Sequence, residues 1–192
     1  CALDKSSTPF QMSVLPWKRA TNNLKTGKLD LIFSYTNNDE IGSYAHFSAP
    51  LVLEKWYWYG KNASNSAKKD RSIAVILGSN QESWLINEGF TNIKAVSSIA
   101  NSLLMMDTSR VSGILVDQQL ALSATKSTKI DLEHFNPTFQ RFSSLGAYVS
   151  NQYIAKHPDF LPTLNKNILS CKPVGISLDE NTFDVLKRIS ED

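Results

Sequence analysis

The stretch Ser72-Ile73-Ala74-Val75-Ile76-Leu77-Gly78-Ser79-Asn80-Gln81 decides the fold. Six residues, mostly apolar, suit a buried strand. Gly78-Ser79-Asn80 then makes a tight turn, and a helix is expected over 81–87, ending at Gly89. The same unit recurs downstream. Ile93–Val96 reads as a strand and Ser98–Met106 as a helix, with Ile99, Leu103 and Met106 at helical spacing. Val111–Val116 reads as a strand and Asp117–Thr125 as a helix. Alternating strands and helices imply parallel strands joined by right-handed crossovers, an α/β class.

Working outward, Leu51–Tyr59 reads as a long aromatic strand carrying Trp56, Tyr57, Trp58 and Tyr59 in succession. One of its aromatic pairs is expected in a core and the other lining a hinge or cleft. Upstream, Phe10–Val14 reads as a short strand. Pro16 opens a helix through Lys25, with Gly27 just past its end. Leu29–Phe33 reads as a buried strand, followed by a polar loop over 34–43. The segment 60–70 reads as a surface loop. Downstream, Leu145–Val149 is expected as a strand, and 159–169 and 181–189 as helices. The pattern is two α/β units, the first interrupted by the second: lobe 1 over 1–59 and 142–192, lobe 2 over 60–141.

Composition narrows the function. The 192 residues hold 20 Lys+Arg and 18 Asp+Glu, a net charge of +2 that gives no electrostatic reason to expect nucleic acid or an anionic membrane. No apolar run approaches the roughly 20 residues of a membrane span. His46, His134 and His157 are isolated, so no metal site is expected, nor any other cofactor. There is no Gly-x-Ser-x-Gly and no dinucleotide fingerprint. Asn62-Ala63-Ser64 fits a glycosylation pattern that often arises by chance. Cys1 and Cys171 are too few for a disulfide framework; a bridge between them, free thiols and a lipidated Cys1 all stay open.

Several segments in order resemble a family. They are Leu15-Pro16-Trp17-Lys18-Arg19-Ala20, Leu24–Gly27 and Asp30-Leu31-Ile32-Phe33, then Phe47-Ser48-Ala49-Pro50-Leu51 and Val75–Gln81, then Arg110–Asp117 and His157-Pro158. The set is similar to the extracellular solute-binding proteins of family 3, in their Pro-Trp-Lys-Arg-Ala branch. That resemblance implies a two-lobed type II periplasmic-binding-protein fold. Against it, the first strand and most of the first helix are missing, with only about 14 residues before Pro16. It also implies a non-catalytic, extracytoplasmic monomer that closes on a small polar solute for a membrane permease. The alternatives are a sensing domain that signals to a receptor partner, or an enzyme dehydrating small acids. For the last, Asp117 is the single acid/base candidate.

The candidate solute contacts are Trp17, Ser34, Tyr35 and Asn37 from lobe 1, and Ser79, Asn80, Gln81 and Asp117 from lobe 2. Ser79 and Asn80 stand where a strand becomes a helix; a helix cap and a ligand contact are compatible there, and the ligand role is favoured. Asp117 is read equally as the partner of a ligand ammonium and as a helix cap. Trp17 walls a cleft or packs in a core. Tyr35 faces the ligand or packs. The family places an Arg in the loop after Phe33 to clamp the ligand's α-carboxylate. Here Thr36–Ser43 holds neither Arg nor Lys, so tight binding of an ordinary free amino acid is not expected.

Overall fold

A computed structural model of the chain describes residues 1–61 and 68–171. The helix expected over 181–189, Asn62-Ala63-Ser64 and part of the expected 60–70 loop lie outside the described residues. The chain divides into two compact units, Glu54–Ser143 and Cys1–Leu53 together with the described chain from Ser144.

The unit Glu54–Ser143 is built on β3 (Val52–Gly60), β4 (Ile73–Ile76), β5 (Ile93–Val96) and β6 (Gly113–Asp117). Its sheet order is β3-β6-β4-β5, with β4 parallel to both β5 and β6, and β3 antiparallel to β6. The crossovers carry α4 (Asn80–Asn87), α5 (Ile99–Asp107) and α6 (Gln118–Thr128). A sheet covered on both faces needs apolar side chains in both phases of the strand period. Ile73, Val75, Leu115, Trp56 and Trp58 therefore pack with Leu85 of α4 on one side. Ala74, Ile114, Val116 and Tyr59 pack with Leu103, Met106 and Ala121 of α5 and α6 on the other. Tyr57 leans on that second cluster too. Of the four aromatics of β3, Trp56, Trp58 and Tyr59 are thus buried in this unit and Tyr57 is half-buried against it.

The other unit centres on β7 (Thr138–Ser150), flanked by β1 (Leu31–Tyr35) and β2 (Ala45–Phe47), both antiparallel to it. Leu24 of α2 (Trp17–Lys25) packs with Ile32, Tyr35, Ile41, Ala45 and Tyr148. Val149 packs with Leu164 and Ile168 of α8 (Phe160–Ser170), against Ala2 and Leu3 of the short α1 (Ala2–Lys5). Pro16 caps α2 rather than entering it, and Gly27 beyond its end has φ +69, which glycine adopts without a Cβ penalty. Cys1 and Cys171 are joined by a disulfide, with Cα atoms 6.1 Å apart. This settles the three states left open from sequence.

The expected strand over 10–14 does not form. Among the described residues, 8–15 find no backbone–backbone hydrogen-bond partner, and Met12 and Val14 are exposed. Between this segment and β1 lies a largely apolar groove of about 570 Å³, lined by Phe10 and Met12 on one side and Leu31 and Phe33 on the other. The sequence has strand character here, but a strand needs a neighbouring backbone to pair with, and the groove stands in its place.

Candidate functional site

The carboxyl ends of β4 and β6 point the same way, because the two strands are parallel. Ligands of open α/β sheets collect at such ends. Four buried polar side chains gather there: Ser79, Asn80, Gln81 and Asp117, each less than a tenth exposed.

Their placement follows from local chemistry. Gly78 takes φ +76 to turn the chain out of β4. Ser79 then caps α4, its Oγ accepting the Glu82 N–H at 3.2 Å, while the Glu82 carboxylate reaches back to accept the Gly78 N–H. The pair is a variant of the capping box in which the carboxylate takes the N–H one residue before the cap. Gln81 turns inward from the first turn and donates Nε2–H to Glu54 at 3.5 Å. Asp117 ends β6 and caps α6: Oδ1 accepts the Gln119 and Leu120 N–H groups at 2.9 and 3.1 Å. Its other oxygen, Oδ2, accepts one long bond, from the Lys55 N–H at 3.3 Å. The cap readings of Ser79 and Asp117 are thus realised, and Asp117 keeps an oxygen with spare acceptor capacity.

Glu54, a half-buried carboxylate, adjoins this group and escaped the sequence reading. Its Oε2 accepts Trp56 Nε1–H at 2.7 Å. Burial raises its carboxyl to about 7; the Trp56 hydrogen bond opposes that shift and the Asp117 charge adds to it. The signal was a carboxylate at an inward phase of a strand, two residues before Trp56, amid apolar and aromatic neighbours.

The four residues expected from lobe 1 are placed as follows. Trp17 opens α2 and meets Tyr35 edge-to-face, with ring centroids 4.7 Å apart. Tyr35 is buried at the end of β1, and its hydroxyl donates to the Trp17 carbonyl at 3.2 Å. Ser34 has φ +70, a left-handed conformation in mid-strand, where the β1–β7 register shifts. Trp17, Ser34 and Tyr35 all border the apolar groove beside β1. Asn37 is exposed, and its Oδ1 accepts the Tyr148 hydroxyl at 3.2 Å. That hydroxyl also accepts the Asn38 N–H at 2.6 Å, so Tyr148, another residue missed from sequence, pins the loop after β1. Asn38 in turn caps α3 (Asp39–Gly42), one helical turn inside what reads as a polar loop.

Among the described residues, no group of three His, Cys, Asp or Glu is placed to hold a metal ion, and no helix is long and apolar enough to cross a membrane.

No family model and no curated protein matches the chain. Solved structures do. A histidine kinase sensor domain with similarity to periplasmic binding proteins superposes with TM-score 0.72 at 10% identity, over 98% of this chain and 81% of that one. A substrate-binding protein of an ABC uptake transporter from Streptococcus pneumoniae, with bound histidine, gives 0.67 at 14%, over 98% and 78%. A mutant of ArgBP from T. maritima, bound to arginine, gives 0.65 at 14%, over 89% and 81%. Together with the mixed, helix-covered sheet, these matches show that the chain has the α/β fold of the periplasmic binding proteins.

Proposed function

We propose that the protein is an extracytoplasmic binding protein that closes on a small polar solute carrying a cationic group and presents it to a membrane transporter. One observation carries the reading: Ser79, Asn80, Gln81 and Asp117 are buried together at the carboxyl ends of β4 and β6. A buried polar cluster is tolerated when its groups are hydrogen-bonded, and here the caps fix Ser79 and Asp117 in place. A carboxylate with an under-used oxygen suits an ammonium or guanidinium. We read the set as a binding site rather than a dehydrating one, because Ser79 and Asp117 are spent on helix caps. Fold neighbours bound to arginine and to histidine lend support. The segment Thr36–Ser43 offers no Arg or Lys, so the solute is expected to bind through its cation rather than through an α-carboxylate.

The test is a thermal-shift and calorimetric screen of agmatine, putrescine, arginine, histidine and glutamine. Agmatine, which is arginine without its carboxylate, should bind at least as tightly as arginine. Nanomolar glutamine binding, or no response to any cation, sinks the reading. A second reading, a ligand-sensing domain, is favoured by the match to a kinase sensor domain. Solute uptake by cells with and without the gene separates the two: lost uptake supports transport, and unchanged uptake with a lost signalling response supports sensing.

A further inference from the structure

Glu54 and Asp117 are two carboxylates at one end of the same sheet. The β3–β6 register sets Trp56 opposite Asp117, so Glu54 lies two residues beyond that pairing, and the Lys55 N–H that separates them is spent on Asp117. Among the described residues, neither carboxylate has an ion-pair partner; the ion pairs there are Cys1 with Asp4 and Asp131 with His134. The nearby cations are turned elsewhere. Arg141, from β7, lies over the Trp56 and Trp84 rings at 5.8 and 5.9 Å and donates Nε–H to the Phe142 carbonyl. Lys55, on Glu54's own strand, lies over the Phe142 ring at 5.8 Å. From α4, Gln81 faces Glu54 as a neutral donor and Glu82 is engaged by Gly78. A buried carboxylate and a half-buried one beside it, with no ion-pair partner among the described residues, are an unfavourable arrangement.

We propose that Glu54 is a specificity-determining contact of the solute site: together with Asp117 it receives the solute's cationic group, which supplies the missing countercharge. This rests on reading the Ser79–Asp117 cluster as the solute site. It deepens that reading by naming the group that selects a cation over a neutral solute. Asp117 already gives one oxygen to two helix N–H groups, whereas Glu54 caps nothing and answers only to Trp56 and Gln81. Glu54 is therefore the carboxylate whose charge is least committed to the protein itself.

A consequence follows for pH. With its carboxyl raised to about 7, Glu54 is largely protonated at pH 6 in the empty protein and ionised at pH 8. A bound cation favours the ionised form, so binding expels a proton and tightens as pH rises through about 7. If binding requires the carboxylate, affinity rises about tenfold from pH 6 to pH 8.

The experiment is agmatine titration by calorimetry at pH 6, 7 and 8, in phosphate and in Tris, with wild type and Glu54→Gln. Wild type should release a fraction of a proton at pH 7, seen as a buffer-dependent enthalpy, and should show the tenfold rise. Glu54→Gln, which keeps the shape and the Trp56 acceptor, should bind at least tenfold more weakly at pH 8 and lose the pH dependence. Wild-type binding that is independent of pH and buffer overturns the proposal. So does a Glu54→Gln protein that matches wild type, and both leave the solute-site reading standing. If Glu54→Gln does not fold, the wild-type proton count alone decides. Absence of any binding by wild type, with arginine, histidine and putrescine tested alongside, overturns the site reading and this proposal together.

Discussion

Breaking the Cys1–Cys171 bridge should destabilise the protein by about 3–5 kcal/mol. The two residues are 170 apart in sequence. Closing a loop that long removes much of the unfolded chain's freedom, and the chain-entropy relation gives about 5 kcal/mol at 25 °C as a ceiling. Residual structure in the unfolded chain brings the expected value below it. The bridge also fixes α1, which has four residues and could not persist alone. What otherwise holds α1 is the packing of Ala2 and Leu3 beside α8 and a few hydrogen bonds, among them Lys5 Nζ to Ser170 Oγ at 2.8 Å and Asn167 Nδ2 to the Ala2 carbonyl at 3.2 Å. Urea unfolding of wild type with and without a phosphine reductant, and of the Cys1→Ser, Cys171→Ser double variant, measures the effect. Hydrogen exchange should show the Lys5 amide, bonded to the Cys1 carbonyl at 3.0 Å, losing its protection first. A loss of stability under about 1 kcal/mol, with the Lys5 amide still protected, would refute the reasoning.

Three further perturbations test the packing and the caps. Ser79→Ala removes the α4 cap and should cost about 1 kcal/mol; Ser79→Asp should restore stability, and urea melts decide. Gly113→Ala places a Cβ 2.7 Å from the Tyr59 carbonyl oxygen, a backbone atom that cannot swing away, so a loss of about 1–3 kcal/mol is expected in the same assay. Tyr148→Phe leaves the Asn38 N–H without its acceptor and should cost about 1–3 kcal/mol, with an amide shift change at Asn38 as the spectroscopic mark.

The interior of the unit Glu54–Ser143 was legible because β4, β5 and β6 are short apolar runs bounded by Gly or Ser, and each following helix has a side-chain cap in the right place. Ser79, Ser98 and Asp117 all accept from the first turn of their helices. The flanking unit was less legible, for physical reasons. Over 10–14 the residues have strand character, but pairing is a property of two segments, and among the described residues none pairs with this one. β7 runs from Thr138, whereas the apolar reading began at Leu145; its first half, Thr138–Arg141, alternates between half-buried and exposed side chains and reads as a polar stretch. The helix Asn151–Lys156 is short and only half-buries Tyr153 and Ile154, so it left no periodic signal, and its Ser150 cap was the one clue. In the candidate site, the capping residues were visible because caps follow sequence rules. Glu54 and Tyr148 were not, since their roles depend on which strand lies alongside.

The caps bear on how the site could recognise charge. A carboxylate at a helix N-terminus is stabilised by the helix dipole and by the first N–H groups, and the same interactions neutralise part of its charge. Asp117, holding two α6 N–H groups on Oδ1, is therefore well fixed but electrostatically muted. Ser79 is likewise fixed by its bond from Glu82. Such residues give position more than selectivity. On the proposed reading, selectivity for a cation comes from a group whose charge the fold does not already answer, and among the described residues at this end of the sheet Glu54 is the candidate. Burial holds its carboxyl up at about 7, and a bound cation would favour the ionised form and offset that burial.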